Sequence, residues 1–540
     1  MKTDNQLESN AYDAIVVGAG FAGLYMLHRL RLQGMRVRVF EAGDGVGGTW
    51  FWNCYPGARC DVESMQYSYS FSEEIQQAWV WSERYPRQEE ILKYINHVAD
   101  HLDLRKDIQF NTRVIGGQFQ PNSTTWSVQT SDGQLHTARF LITATGCLSA
   151  SRVPDMQSLD GFKGEWFHTG QWPKTPVDFK GKRVGVIGTG SSGIQLIPMI
   201  AKEAKELVVF QRTPNFSIPA WNRPLSIEEQ DAWKVNYAEH RQRARNTRSG
   251  ILYDYSTRAT TEVSKQDRDA EYERRWAKGG ANFTHAFNDI FTNRESNELA
   301  AEFVRNKIRS IVKDPVVADR LTPKDHAIGT KRICVDTNYY STYNNANVKL
   351  VDIRATPLQE IKPNGIQTSD ALYELDCIVF ATGYDAVTGA LERLNLQGET
   401  GQLLKDEWTS GPRTYLGLMT VGFPNLFFIT GPGSPSILTN VIVSIEQHVD
   451  WIARCIQHMN ATQKSKIQAQ APAQEAWVQK VNDLAKNTLF PASDSWYMGA
   501  NVPGKPRVFL PFIGGLGPYT EICEQVIKDG YSGFDLAATH

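Results

Sequence analysis

A glycine-rich loop between an apolar run and an apolar helix constrains the fold of this chain more than any other feature. Residues 14–17 are all apolar, which is typical of a buried parallel strand, and Gly18, Gly20 and Gly23 follow at once. A second apolar run then ends at Glu41. This order of strand, loop, helix, strand and acid predicts a Rossmann-like dinucleotide-binding domain.

Each glycine of this loop has its own task. Gly18 permits the tight turn, Gly20 lets the backbone approach a pyrophosphate, and Gly23 allows close packing of helix and strand. The helix N-terminus adds N–H donors and a favourable dipole for the phosphates. Glu41 would accept hydrogen bonds from ribose hydroxyls and would repel a 2′-phosphate, so this site favours FAD or NAD over NADP.

A second loop of the same type begins at Gly188 and continues through Gly190 and Gly193. An apolar strand precedes it, and an isoleucine-rich helix follows it. Where the first unit has its acid, this one has Arg212, whose guanidinium can hold a 2′-phosphate through two hydrogen bonds. We therefore expect NADP(H) here, and an α/β fold with two Rossmann-like dinucleotide-binding domains.

Composition narrows the choice of partners and compartment. The chain has 540 residues, a net charge of −2 and seven cysteines. Balanced charge indicates no basic face for nucleic acid, and no apolar run is long enough for a membrane helix. The N-terminal residues lack the apolar centre of a signal peptide, and the dilute cysteines show neither Cys-x-x-Cys nor metal-ligand spacing. We expect a cytoplasmic protein, a monomer by default, without a bound metal.

Between the loops, residues 162–173 carry the pattern Phe-x-Gly-x-x-x-His-x-x-x-Trp-Pro. The pattern resembles the fingerprint of Baeyer–Villiger monooxygenases, flavoenzymes that insert an oxygen atom beside a ketone carbonyl. Residues 47–61 are similar to a second motif of that family, although many members have Arg at the position of Cys54. The resemblance extends over residues 12–534. We expect His168 to orient an inter-domain hinge rather than to react.

The resemblance implies the reaction and its cofactors. NADPH would reduce FAD, and the reduced flavin would react with O2 to a C4a-peroxide that converts ketones into esters or lactones and also oxidises sulfides. That peroxide must stay anionic to attack a ketone, and a fixed cation favours the anion. By resemblance, Arg332 supplies this cation and Asp61 holds its guanidinium in place. Lys331 would join Arg212 at the 2′-phosphate.

The resemblance also assigns residues to the cofactors and the substrate. The aromatic loop around Trp50 would form a wall beside the flavin, with Asp61 nearby. Trp496 lies in a loop, 495–505, that would close over the nicotinamide nucleotide, and its indole N–H would donate to that cofactor. The substrate pocket would be lined by Ser436, Ile437, Leu438 and Val441.

These assignments divide the chain into five segments. Residues 226–330 are rich in charge and lack the alternation of strands, which indicates a helical insertion in the NADP-binding domain. Its charge runs, such as 241–245, are expected to be solvated faces. The full order is an FAD-binding first part (1–150), an NADP-binding first part (151–225), the insertion (226–330), an NADP-binding second part (331–388) and an FAD-binding second part with the substrate-pocket and control loops (389–540).

Three other functions remain open at this point. An N- or S-oxygenating flavin-containing monooxygenase would share both folds but use a protonated peroxide. An NADPH-dependent disulfide reductase would need Cys54 and Cys60 as a redox pair, and their five intervening residues are more than such enzymes use. A nucleotide-binding sensor without catalysis would not need Arg332 and Asp61.

Overall fold

The computed structural model describes residues 10–153, 156 and 158–538, so the polar N-terminal segment considered above lies almost entirely outside it. The described residues form a mixed α/β fold. In chain order, their strands are β1 (Ala11–Val17), β2 (Val37–Phe40), β3 (Ile108–Gln109), β4 (Val114–Gln120), β5 (Thr125–Thr130), β6 (Leu135–Thr143), β7 (Glu165–His168), β8 (Arg183–Ile187), β9 (Glu206–Gln211), β10 (Ser217–Pro219), β11 (Cys334–Asp336), β12 (Val348–Asp352), β13 (Leu358–Lys362), β14 (Gly365–Thr368), β15 (Leu372–Glu374), β16 (Cys377–Phe380), β17 (Leu396–Gln397), β18 (Leu426–Phe428), β19 (Lys466–Ala469) and β20 (Phe534–Ala537).

The helices connect and cover these strands. In chain order they are α1 (Phe21–Arg31), α2 (Thr49–Trp52), α3 (Glu73–Ala78), α4 (Gln88–His101), α5 (Ser191–Ile200), α6 (Ile227–Val235), α7 (Tyr237–Arg245), α8 (Lys265–Lys278), α9 (Arg294–Ile311), α10 (Pro315–Leu321), α11 (Tyr339–Thr342), α12 (Gly389–Glu392), α13 (Leu404–Glu407), α14 (Val441–Ala461), α15 (Ala471–Lys486) and α16 (Leu516–Lys528).

Strand β1 lies within the larger sheet, whose order is β17-β4-β5-β6-β1-β2-β3, with β18 also paired to β6. It pairs in parallel with β2 and with β6, and its apolar residues 14–16 are fully buried. Strands β4, β5 and β6 form an antiparallel meander at one side. The first predicted unit of strand, loop, helix and strand is confirmed as β1, α1 and β2.

The second sheet is entirely parallel, in the order β12-β9-β8-β16-β7. Its central strand β8 leads through the second glycine loop into α5, which confirms the second predicted unit. Strand β7 forms one edge, so part of the fingerprint segment belongs to this sheet and is more than a connection. Four residues are too few for a clear strand pattern, which is why the sequence did not indicate it.

Helix α14 carries a buried apolar stripe. Ile445, Val449, Ile452 and Ile456 are all buried, and the helix packs against α1 of the first glycine unit. The Tyr25 hydroxyl of α1 adds a hydrogen bond of 2.8 Å to the Asp450 carboxylate. The C-terminal part of the chain is therefore built onto the larger sheet, although the positions of Tyr25 and Asp450 differ by 425 in the sequence.

Residues 226–330 contain helices α6 to α10 and, among the described residues of this range, no strand. The two halves of this insertion pack on different partners. Tyr237 and Ile251 join the core of the larger sheet, whereas Tyr272 and Trp276 join the core of the parallel sheet. The insertion therefore bridges both sheets, which the sequence pattern did not indicate.

The expectation of a solvated charge run in this insertion is wrong for Arg241. Its side chain is buried, its Nη1 donates to the Gln66 carbonyl at 3.0 Å, and its Nη2 donates to the Ser68 hydroxyl at 2.6 Å. A cation can be buried when its donors find acceptors. Arg241 thereby ties α7 to residues 66–68, of which Tyr67 belongs to the core of the larger sheet.

Candidate active site

The first glycine loop is shaped so that backbone, not side chains, lines the adjacent space. Gly18 has a φ of +105°, and a Cβ on Gly23 would lie 1.8 Å from the Gly18 carbonyl oxygen, so only glycine fits at these two positions. Glu41 is buried and accepts hydrogen bonds from the N–H groups of Ala19 at 2.7 Å and Gly43 at 2.8 Å. The carboxylate thus holds the glycine loop, a role that the sequence did not indicate.

The second loop repeats this geometry. A Cβ on Gly193 would lie 2.2 Å from the Gly188 carbonyl oxygen, whereas a Cβ on Gly190 would meet no atom within 4 Å. The backbone at Gly190 therefore borders open space at the N-terminus of α5. The N–H groups of a first helical turn have no partner within the helix, so a pyrophosphate fits this position.

Three cations gather beyond the end of β9. Arg212 is exposed and Lys331 is half-buried, and neither has an acidic hydrogen-bond partner within the described residues. Burial lowers the pKa of Lys331; Asp325 opposes this, and the charges of Arg212 and Arg354 lower the pKa further. Arg354 donates hydrogen bonds to Asp325 at 2.5 Å and to the Thr213 hydroxyl at 2.9 Å. The cluster can receive a phosphate at its two unpaired members.

Sequence analysis did not single out Arg354. It follows β12, which pairs in parallel with β9, so both strands end at the same edge of the sheet and bring Arg354 near Arg212. That strand pairing is not visible in one sequence. The available sequence signal for Arg354 is a basic residue shortly after an apolar run, as with Arg212 after β9.

Arg332 and Asp61 form a bidentate ion pair. The Arg332 Nε donates to Asp61 Oδ2 at 2.6 Å, and its Nη2 donates to Asp61 Oδ1 at 2.9 Å. The Arg332 Nη1 donates to the Ile437 carbonyl at 3.1 Å. The Asp61 charge raises the pKa of Arg332, and the Arg332 charge lowers the pKa of Asp61 although burial opposes that shift. Both groups are therefore ionised at neutral pH.

The ion pair lies in the wall of a cavity of about 120 Å³. The lining residues come from widely separated parts of the chain: Asp61, several residues of the insertion between 248 and 291, the segment around Arg332, then Pro435, Leu438 and Thr439, and several residues between 490 and 515. A cavity with apolar walls and a fixed ion pair suits a small substrate with one polar reacting group. The large apolar members of the wall include Ile251, Phe291, Leu438, Phe490, Phe512 and Ile513.

The four predicted pocket residues are placed unequally. Leu438 lines the cavity. Ser436 and Ile437 are buried in a short 3-10 turn, from which Ile437 offers its carbonyl to the ion pair. Val441 begins α14 and is half-buried. Ser436, Ile437 and Val441 flank the wall described above and do not form part of it.

The two tryptophans predicted to contact cofactors also differ in their surroundings. Trp50 lies in α2, and its indole N–H donates to the Tyr67 hydroxyl at 3.0 Å. Trp496 is half-buried, with its ring centroid 4.4 Å from that of Tyr497. Tyr497 lines the cavity, and burial raises its pKa to about 12. Sequence analysis did not single out this neutral phenol in the cavity wall.

Comparisons with known proteins identify the family of this chain. The model of the family described as "Flavin-binding monooxygenase-like" matches residues 12–221. A 2-oxo-Delta(3)-4,5,5-trimethylcyclopentenylacetyl-CoA monooxygenase of Pseudomonas putida is 44% identical, covering 99% of this chain and 100% of the relative. A Baeyer-Villiger monooxygenase of Pseudooceanicola batsensis is 42% identical, covering 98% of each. This chain belongs to the Baeyer–Villiger monooxygenase family.

A solved structure supports the fold of this Baeyer–Villiger monooxygenase. The crystal structure of OTEMO in complex with FAD and NADP matches with a TM-score of 0.94 and 44% sequence identity, covering 97% of this chain and 99% of that chain. The predicted class, α/β with two Rossmann-like dinucleotide-binding domains, is confirmed.

The fingerprint histidine of this monooxygenase lies at the end of β7 and not in the cavity wall. The Nδ1 of His168 accepts from the Gly170 N–H at 3.0 Å, and its Nε2 lies 3.3 Å from the Thr382 hydroxyl. Thr382 donates in turn to the Arg152 carbonyl at 2.7 Å. Burial lowers the pKa of His168, so its ring is neutral. These contacts fit the orienting role expected from the sequence.

The cysteines of this monooxygenase are free thiols. Cys54 lies near the carbonyls of Trp172 and Pro173, whereas the Cys60 sulfur accepts from the Val62 N–H. The two thiols have different partners, so the disulfide-reductase alternative lacks its redox pair. Among the described residues, no group of His, Cys, Asp and Glu side chains could hold a metal ion, and no helix is long and apolar enough to cross a membrane.

Proposed function

We propose that this monooxygenase converts ketones into esters or lactones, with NADPH as reductant and O2 as oxidant. The observation that carries the proposal is the ion pair of Arg332 with Asp61 in the wall of an apolar cavity. A permanently charged guanidinium with directed donors suits a reaction in which negative charge develops on a carbonyl oxygen.

The two glycine loops divide the cofactors between them. The first loop, with Glu41, would hold FAD, and the second, with Arg212 and Lys331, would hold NADP(H). When bound, FAD accepts a hydride from NADPH and activates O2 for attack on the ketone. The glycine positions fit these dinucleotides because a side chain at Gly23 or Gly193 would collide with the loop itself. The larger sheet then belongs to the FAD-binding domain and the parallel sheet to the NADP-binding domain, with the boundaries predicted above.

Each member of the ion pair has a separate task in this account. Arg332 donates to the ketone oxygen and stabilises the negative charge that develops there when the carbonyl carbon is attacked. Asp61 keeps the guanidinium in one orientation through two hydrogen bonds, which removes the rotational freedom of a long side chain. The apolar walls exclude water, and this strengthens the interaction between Arg332 and the developing charge.

Other side chains position the reactants. Trp50 forms a wall beside the flavin, and Trp496 closes over the nicotinamide nucleotide. Leu438 contacts the hydrocarbon part of the ketone, since it already lines the cavity. The neighbouring residues Ser436 and Val441, together with Ile437, act by fixing the shape of the loop that carries Leu438.

We place the enzyme in the cytoplasm as a monomer. Its seven cysteines are free thiols, which suits a reducing compartment. Light scattering of the purified protein tests the monomer: the mass of one chain supports it, and a multiple of that mass contradicts it.

Product analysis tests the reaction. Purified, FAD-loaded protein is supplied with NADPH, air and a panel of cyclic, aryl-alkyl and long-chain ketones, with a thioether as a further substrate. An ester or lactone from any ketone, identified by mass spectrometry, supports the proposal. Sulfoxide formation alone, with every ketone unchanged, would contradict it and favour the N- or S-oxygenating alternative.

A further inference from the structure

Two arginines, Arg332 and Arg248, line the cavity. The first is neutralised by Asp61. The side chain of Arg248 is exposed and borders the cavity. Within the described residues, it forms neither an ion pair nor a hydrogen bond. Arg248 therefore contributes an uncompensated positive charge to the wall.

The surroundings of Arg248 position its side chain without neutralising its charge. Its guanidinium carbon lies 5.8 Å from the ring centroid of Phe291, within the range of a cation–π contact. Its stem packs against the Gly515 backbone, where an added Cβ would lie 3.3 Å from Arg248 Cγ. The neighbouring His285 also lines the cavity; burial, reinforced by the Arg248 charge, lowers its pKa to about 3, so its imidazole is neutral.

Three buried arginines of the insertion have a structural role and serve as a comparison for Arg248. They are buried more deeply than Arg248, and each donates hydrogen bonds to protein acceptors: Arg241 to Ser68, Arg275 to Glu271 and Arg305 to Glu298. Arg248 lacks such acceptors among the described residues. A positive charge that no protein anion compensates, on a side chain that borders the cavity, attracts an anion from outside the chain.

We infer that the preferred substrates of this enzyme are ketones that carry a carboxylate, which Arg248 binds while the carbonyl group lies at Arg332. The inference rests on the proposed ketone oxidation and names its substrate class. A guanidinium matches a carboxylate through two parallel hydrogen bonds, and low polarity around it strengthens both. The apolar side chains of the wall contact the hydrocarbon that joins the two groups.

The test compares keto acids with their methyl esters. Cyclic ketones with a carboxylate on side chains of increasing length, and the corresponding methyl esters, are oxidised by the FAD-loaded enzyme. The measured quantity is kcat/KM for the acid divided by kcat/KM for the ester. At the best chain length the wild type should prefer the acid by about 30-fold, equivalent to about 2 kcal/mol.

Two variants separate Arg248 from a general effect of charge. Arg248→Met keeps an apolar stem and should lower the acid-to-ester ratio to about one. Arg243→Met removes a cation from the same part of the insertion, where it is exposed and paired with Glu239 outside the cavity wall, and should keep the wild-type ratio. The ratio is taken within each variant, so a general change in activity cancels.

Three outcomes would overturn the inference. The inference is contradicted if the wild type gives an acid-to-ester ratio of one or less at every chain length. It is also contradicted if Arg248→Met gives the same ratio as the wild type. Both outcomes leave ketone oxidation intact. If Arg248→Met does not bind FAD, the acid-to-ester ratio of the wild type still tests the inference. If neither acids, esters nor simple ketones give an oxygenated product, the proposed function fails and the inference fails with it.

Discussion

The Arg332 guanidinium donates two hydrogen bonds to the Asp61 carboxylate, at 2.6 and 2.9 Å, although 271 residues separate them. Asp61 belongs to the part of the chain that carries the first glycine loop, and Arg332 follows the helical insertion. The contact therefore brings the two nucleotide-binding halves together at one point of the cavity wall. A charged pair in this position is more than a surface salt bridge, because each partner would be left without compensation if the other were removed.

The first prediction concerns this pair. Arg332→Ala should lower ester formation per NADPH consumed by about 100-fold or more, because the developing negative charge loses its stabilising donor. Reduction of FAD by NADPH should continue. Rapid-mixing absorbance of the flavin measures reduction, and gas chromatography measures the ester. Arg454→Ala, which breaks an exposed ion pair with Glu524, is the matched control and should retain ester formation. Near-normal ester yield from Arg332→Ala would refute the assignment.

Two variants of the second glycine loop should have different effects, one on stability and the other on NADPH binding. Gly193→Ala should destabilise the protein by about 3 kcal/mol or more, because the added Cβ would lie 2.2 Å from the Gly188 carbonyl oxygen. Gly190→Ala meets no atom within 4 Å, so it should leave the unfolding midpoint unchanged and raise KM for NADPH by about 10-fold. Urea unfolding and steady-state kinetics separate the two. Equal unfolding midpoints for both variants would argue against this packing.

Cofactor choice should depend on Arg212 and Lys331. Removal of either side chain should raise KM for NADPH by about 10- to 100-fold, since each is proposed to provide a charge-assisted contact to the 2′-phosphate. KM for NADH should stay constant. Lys349→Ala, which removes an exposed cation paired with Glu206 on a nearby strand, is the control and should alter neither value. An equal rise in KM for NADPH and KM for NADH would show that Arg212 and Lys331 do not contact the 2′-phosphate.

Burial lowers the pKa of Lys331, and this adds a dependence on pH. A lysine with a lowered pKa loses its positive charge earlier as the pH rises. Affinity for NADPH should therefore decline on the alkaline side, while affinity for NADH does not. The comparison of KM for the two cofactors across the alkaline range measures this, and Lys331→Ala should remove the difference in slope.

Acid sensitivity of the fold should come partly from His448. It is fully buried on α14, where its Nδ1 accepts from the Thr430 N–H at 2.9 Å and its Nε2 lies 3.0 Å from the Tyr519 hydroxyl. Burial lowers its pKa from 6.5 to about 3. The unfolded chain binds this proton more readily, so the free energy of unfolding falls as pH drops from about 6.5 toward 3, by about 1.4 kcal/mol per pH unit.

The variant His448→Gln tests that slope. Glutamine can accept from Thr430 and has no titration in this range, so the dependence of the unfolding free energy on pH should become shallower by about 1.4 kcal/mol per unit below pH 6.5. Urea unfolding at a series of pH values measures it. An unchanged slope in His448→Gln would contradict the assignment of the proton to His448.

The nucleotide-binding units could be predicted because their determinants are local. The apolar runs of β1 and β8, the glycine positions and the following apolar helices all lie within short windows, and their buried periodicity is visible in one sequence. Strand β7 and the docking of the insertion could not be predicted in this way. They depend on partners far away in the chain, such as the contact of Arg241 with the Gln66 carbonyl.

The site was only partly accessible from the sequence for a related reason. Arg332 and Asp61 were proposed through a resemblance of motifs, since nothing in their own neighbourhoods indicates that they meet. Arg248, Arg354 and Tyr497 escaped notice because a lone cation or phenol in a charged or irregular stretch is usually solvated. Arg248 and Tyr497 line the cavity, and Arg354 belongs to the cation cluster. Both features form only when the chain folds.

The fate of the oxygen atom tests the central claim most directly. FAD-loaded protein, NADPH and a ketone are incubated under isotopically labelled dioxygen, and the product is analysed by mass spectrometry while NADPH consumption is recorded. The account predicts an ester or lactone that carries one labelled oxygen atom for each NADPH consumed. Consumption of NADPH with hydrogen peroxide as the sole product, or an ester without label, would contradict it.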